Sequence, residues 1–264
     1  MAYQTGIMSY RGSFKSIRNW KNKKNPKIYA GEKGGANRDL IMNNPAFALT
    51  RDNMCEFKGC GMAVKAIRQG LIHLIPEHTD THFTARLVKI VKKINVKDTL
   101  AEHGKRSIIF SDNRALLKTL TLHESRKIDH QLRRYITTEH AESRAEATIR
   151  VNGLNPNLLL VPVEAQYYRV ITHLSVISDY SFSEENKKYE PLSQTESTCT
   201  YAYSEYTPIN SPMMISLKAA FPEGTELTSI DTVLQCVGIV YYVKSGIDDY
   251  LPYTSGTMLV YDVF

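Results

Sequence analysis

The chain has 264 residues, 42% hydrophobic and 23% charged, a composition that excludes wholesale disorder and leaves room for one large core or two modest ones. Its charge is unevenly placed. Residues 1–144 hold 27 of the 33 Lys and Arg but 13 of the 27 Asp and Glu, a balance of +14, while residues 145–264 come to −8. Such asymmetry points to a basic partner-binding part joined to a separately folding part.

Apolar runs are short, the longest being 158–163 and 237–243, so no membrane span is expected. The opening residues lack the apolar stretch of a secretory signal, and the four cysteines (Cys55, Cys60, Cys199, Cys236) make no disulfide framework for a chain of this length. The expected location is cytoplasmic, or a particle assembled in the cytoplasm, with buried thiols.

In chain order, residues 1–31 contain no Asp or Glu, while Arg11, Lys15, Arg18, Lys21, Lys23, Lys24 and Lys27 give +7. Spaced apolar residues from Ile7 to Trp20, a polar turn at 22–26 and a return strand at 27–30 predict a basic hairpin or arm. Asn44-Pro45 is a helix start, with Asn as cap and Pro where no N–H is needed. The helix it opens should run to about Ile75, where Pro76 closes it. Gly59-Cys60-Gly61 inside it predicts either a close approach of another backbone or a break. A second helix, from Thr79 or Asp80 to Lys97, has a buried stripe of Phe83, Leu87, Ile90, Val91 and Ile94. Arg86, Lys89, Lys93 and Lys97 line its other face. A short strand at 107–110 and helical stretches at 114–120 and 127–137 follow.

From Ala147 the period changes to two. Strands are expected at 147–151, 158–163, 167–177, 199–203, 213–219, 233–243 and 258–264, with a long polar loop at 181–197. The strand at 167–177 reads as apolar on both faces. The expected architecture is therefore α+β: a basic N-terminal arm or hairpin (1–35), a basic helical domain (36–144) and a C-terminal antiparallel β-sandwich of immunoglobulin-like or jelly-roll type (145–264).

The stretch Glu32-Lys33-Gly34-Gly35, then Asn44-Pro45-Ala46-Phe47, Thr50-Arg51-Asp52-Asn53 and Glu56-Phe57, resembles an uncharacterised family of Bacteroidetes proteins of similar length. Val237-Gly238-Ile239-Val240-Tyr241-Tyr242 is similar to that family's C-terminal strand, and Asn44 and Asp52 replace its Asp and Glu. The resemblance implies one architecture over most of the chain and brings no assigned activity or catalytic residue.

Catalytic patterns are missing. There is no GxSxG, no HExxH, no CxxC and no GxxxxGK[ST], so no enzyme, metal or cofactor is expected, although His73, His78 and His82 cluster with Glu77 and Asp80. What carries interest is the arm: cations interleaved with Tyr10, Phe14 and Trp20 can neutralise phosphates and stack on bases, or complete a neighbouring subunit's sheet. The leading expectation is a self-assembling structural protein, a phage-type coat or filament subunit forming homo-oligomers. Its partner-binding residues would be Arg11, Lys15, Arg18, Trp20, Lys21, Lys23, Lys24 and Lys27 of the arm with Arg86, Lys89, Lys93 and Lys97 of the basic helix. The alternative is a protein that binds nucleic acid or another polyanion, using the sandwich as an interaction module, and an enzyme of unknown class comes third.

Overall fold

Asn and Pro punctuation sets the short elements at the N-terminus. A computed structural model of the chain describes residues 2–3, 10–21, 27–124, 132–155, 161–247 and 249–264. Its contacts fall into two units, Met1–Arg51 and Asp52–Phe264. The first unit contains β1 (Ala2–Tyr3), β2 (Gly12–Phe14), β3 (Ile17–Lys21) and β4 (Ile28–Glu32), paired antiparallel in the order β1-β4-β3-β2. Lys15, at φ 48°, occupies the left-handed region in the turn between β2 and β3. The hairpin of the sequence reading is thus a small sheet, with Trp20 opposite Tyr29. The turn at 22–26 lies outside the described residues.

Helix α1 (Arg38–Asn43) starts where the Asn37 side chain accepts from the Leu40 amide at 2.7 Å. Asn44 does the same for Ala46 at 2.9 Å, and Pro45 opens a 3-10 turn that runs directly into α2 (Ala48–Gly70). This cap is the one expected from Asn44-Pro45. Arg51 secures the entry by donating to the carbonyls of Ile41 (2.8 Å) and Asn44 (2.9 Å).

The second unit continues with α3 (Ile75–His78), α4 (Phe83–Asn95) and α5 (Arg114–Leu117). Helix α2 stops at Gly70, earlier than Ile75, and Pro76 lies within α3 rather than after a helix. Every residue of the predicted α4 stripe is buried: Phe83, Leu87, Ile90, Val91 and Ile94. Strands follow as β5 (Ile136–His140), β6 (Glu146–Leu154), β7 (Tyr167–Ser178), β8 (Tyr180–Ser183), β9 (Lys188–Pro191) and β10 (Cys199–Tyr203). The last are β11 (Thr207–Pro208), β12 (Met213–Ala220), β13 (Asp231–Lys244) and β14 (Tyr250–Val263).

Among the described residues all the strand pairing is antiparallel. The large sheet has the order β10-β7-β13-β14 with β11 also on β7; a smaller one runs β12-β6-β5; and β8-β9 is a hairpin. The two faces of the large sheet have different covers. Ile171, Ile177, Leu234 and Val240 share a core with Ala63, Ile67, Leu87 and Val91 of the helices. Tyr168, Val170, Val237 and Ile239 share another with Ile149, Val151 and Met213 of the smaller sheet. Burial on both faces explains why β7 and β13 read as nearly continuous apolar runs. It also places the helices and strands of 52–264 in one unit, unlike the division at 144–145 drawn from the change in period.

Other expectations differ locally. Ile108 forms a single bridge to Tyr180 instead of a strand at 107–110. Of the helix expected at 127–137, Ile136 and Thr137 belong to β5, and 127–131 lie outside the described residues. Residues 158–160 are likewise outside them, and 161–163 are not in a strand. The polar loop at 181–197 contains the β8-β9 hairpin, whose Tyr189 is buried against α2. The close approach expected at Gly59 comes from this tyrosine and not from a backbone, because a Cβ there would clash with the Tyr189 ring. Among the described residues, no helix is long and apolar enough to cross a membrane.

Candidate partner-binding surface

Strand geometry decides which arm residues act together. Successive side chains on β3 point to opposite faces, so Arg18 and Trp20 share one face, and the register adds Tyr29 to it. The Trp20 and Tyr29 rings are stacked with centroids 6.2 Å apart, and the indole closes over Gly31, where a Cβ would stand 3.0 Å from it. Lys21 and Ile17 occupy the other face with Phe14. Arg11, Lys15, Arg18, Lys21 and Lys27 are exposed and Trp20 is half-buried, while Lys23 and Lys24 lie outside the described residues. Arg11, Lys15, Arg18 and Lys21 make no ion pair with another described residue, and Lys15 lies over the Phe14 ring at 5.8 Å. The arm cations are therefore spread over both faces of the small sheet, with one aromatic face among them.

The first unit has little interior. Among its described residues only Asn19 is buried, and no hydrophobic side chain is. Tyr10, Phe14, Ile17, Leu40, Met42 and Leu49 are between 43% and 68% exposed.

The basic helix divides its cations between structure and surface. Lys89, Lys93 and Lys97 are exposed and unpaired among the described residues. Arg86 is not part of an open cationic face: it pairs with Asp80 at 3.0 Å and donates to the carbonyls of Thr121 (2.9 Å) and Leu122 (2.8 Å). Burial alone would raise the Asp80 carboxyl, but the Glu124 amide and Arg86 outweigh it and hold the group well below its usual range.

Lys92 also turns inward, to Glu56 of α2. That carboxylate is fully buried and accepts from the Gly104 amide (2.9 Å), from Arg106 Nε (2.6 Å) and Nη2 (2.9 Å), and from Lys92. Asn95 completes the cluster by accepting from Lys92 (2.7 Å) and donating to the Arg106 carbonyl (2.6 Å). Burial pushes the Glu56 carboxyl up, yet Arg106, Lys92 and the Gly104 amide prevail and bring it down to about 2. The cluster ties α2, α4 and the loop after α4 together. Glu56 and Arg106 are polar anchors that sequence reasoning missed, since nothing local pairs residues 50 positions apart.

Several of the remaining histidines and cysteines are built into the fold. His73 meets Tyr201 in a tilted arrangement with centroids 4.9 Å apart, and His140 stacks on Phe264 at 4.2 Å. His78 is buried, and no three His, Cys, Asp or Glu among the described residues come close enough to hold a metal ion. The four cysteines are free, and burial raises the thiols of Cys60 to about 11 and Cys236 to about 12, which keeps them protonated and unreactive at neutral pH. No protein-family model, no curated protein and no solved structure matches this chain.

Proposed function

We propose that the chain is a subunit of a self-assembling structure, a phage-type coat or filament, whose basic N-terminal arm engages neighbouring subunits. The observation that carries this reading is the coreless first unit. Ordering a residue costs about 1–2 kcal/mol of conformational entropy, and buried apolar surface is what normally offsets it. In the described part of residues 1–51 no hydrophobic side chain is buried, which leaves apolar surface for a neighbouring subunit to cover. Among the described residues β1 and β2 are the outer strands of the small sheet, and an outer strand's backbone groups suit strand addition by a neighbour. In the second unit the smaller antiparallel sheet shares a core with one face of the large one, which supports a sandwich-type module, immunoglobulin-like or jelly-roll.

A second reading, nucleic-acid binding, draws on the shared face of Arg18, Trp20 and Tyr29, since a cation beside stacked rings suits an unpaired base and its phosphate. One experiment separates the two. Light scattering and negative-stain microscopy of the full chain, with and without residues 1–27, would follow assembly, while Trp20 fluorescence would follow added oligonucleotide. Large species that vanish on deletion support the subunit reading. A protein that stays monomeric at all concentrations, with Trp20 responding to oligonucleotide alone, refutes it in favour of the second.

A further inference from the structure

Two surfaces of residues 52–264 combine exposed apolar groups with charge, the first cationic and the second predominantly acidic. The first is a groove along α2 and α4. One hollow of about 500 Å³ is floored by Val64, Ile72, Ile75 and Val88 and edged by Lys65 and Arg68. Beyond Val88 a second hollow of about 550 Å³ is bounded by Phe57 and Val96 with Lys89 and Lys93. Phe57, Ile72 and Val96 are 59%, 57% and 48% exposed. No Asp or Glu lines either hollow.

The second surface is the end of the large sheet where β7 begins. The β13-β14 hairpin runs past its last rung with β7, Tyr242 opposite Tyr167, to its own last rung at Lys244 and Tyr250. Ile247 and Leu251, 87% and 58% exposed, project there with Asp249. Val163, fully exposed, and Glu164 lie just before β7, and Glu205 lies between β10 and β11, which pair with β7 near the same end. Glu164, Glu205 and Asp249 are exposed and make no ion pair with another described residue. Arg169 and Lys244 are the cations of this end; neither makes an ion pair with the three carboxylates, Arg169 lying 4.5 and 4.6 Å from the rings of Tyr203 and Tyr206 and Lys244 lying over Tyr250, so acids remain in the majority.

We infer that this acidic, apolar-tipped sheet end of one copy docks into the cationic α2–α4 groove of a second copy. The inference rests on the subunit reading and names one of its contacts. Ile247 and Leu251 would seat on Val88 and Ile72, and Glu164, Glu205 and Asp249 would face Lys65, Arg68, Lys89 and Lys93. Burying the exposed apolar groups of both partners supplies attraction without direction, and the opposite charges set the register and exclude like-with-like pairing.

The test uses the full chain in sedimentation velocity at about 0.05 M and about 0.5 M salt, where the Debye length falls several-fold. Lys89→Glu with Lys93→Glu should weaken association at low salt by roughly tenfold or more, and Glu164→Lys with Asp249→Lys should do the same. All four changes together should restore much of it, since the signs again match. Ile247→Ser, at an exposed position, should weaken association at both salts with an unchanged thermal melt. Wild-type assembly that none of these changes affects would overturn the docking while leaving the subunit reading intact. Loss from the groove changes without loss from the sheet-end changes would also overturn it, by assigning the groove another occupant. A wild-type chain that never associates would overturn the subunit reading and the docking with it.

Discussion

Replacing Glu56 by Ala should be among the costlier polar changes in the second unit. The substitution removes a fully buried carboxylate and leaves three sets of donors, on Gly104, Arg106 and Lys92, facing a vacated space. Breaking a buried ion pair by deleting one partner typically costs about 3–5 kcal/mol. Here the side chains of Arg106 and Lys92 are 19% and 29% exposed, so each can recover some hydration, and the cost should fall near about 3 kcal/mol. The proton linkage gives a consistent scale. A carboxyl lowered from 4.5 to about 2 contributes roughly 3 kcal/mol of stability, present above pH 4.5 and lost as pH falls toward 2. Urea unfolding of wild type and Glu56→Ala at pH 7 measures the difference, and repeating it at pH 3 should shrink the gap. Glu56→Gln keeps the shape and should lose less than the alanine variant. A cost below about 1 kcal/mol at pH 7, or one that does not change between pH 7 and pH 3, would refute the idea that this carboxylate holds α2, α4 and the following loop together.

Two glycines two residues apart on α2 should respond in opposite directions. Gly59→Ala drives a methyl into the Tyr189 ring and should cost roughly 1–3 kcal/mol, whereas Gly61→Ala meets nothing within 4 Å and should gain up to about 1 kcal/mol of helix stability; thermal melts check both. His173 is fully buried, and neither ring nitrogen has a hydrogen-bond partner among the described residues. Burial first, then His73, lowers its pKa to about 4. Its folded form therefore binds fewer protons than the unfolded chain between pH 6.5 and 4, and stability should fall as pH drops through that window. In His173→Leu this loss should be smaller, and an identical pH profile would count against the assignment. Raising salt to about 1 M, where the Debye length is about 3 Å, should reduce the size of the assembled species in light scattering, and no change would argue against charge-guided contacts.

Local chemistry was legible wherever it acts within a few residues. Asn44 caps its turn, the α4 stripe is buried in full, and β10 has the bounds expected of it, because caps, helical spacing and strand alternation are set by neighbours in the chain. The β8-β9 hairpin was hidden because its polar residues face solvent and Tyr189, its buried anchor, reads like any tyrosine in a polar loop. The roles of the cations were hidden for a related reason. Arg86, Lys89, Lys92 and Lys93 look alike on a helix wheel, and only the folded chain brings Asp80 to the first and Glu56 to the third. The arm's sequence announced its charge and its aromatic residues, but the absence of a buried hydrophobic side chain around them needed the structure.

The same reason governs the unit boundary. A change from helical to strand period near residue 145 marks where one type of element gives way to another. Whether two segments share a core depends on which faces meet, and β7 and β13 give one face to the helices and the other to the smaller sheet. Periodicity determined that this chain has amphipathic helices followed by strands buried on both sides. Tertiary structure alone decided that those helices are what covers one side, because burial is a property of contact between distant segments and no stretch of sequence carries it by itself.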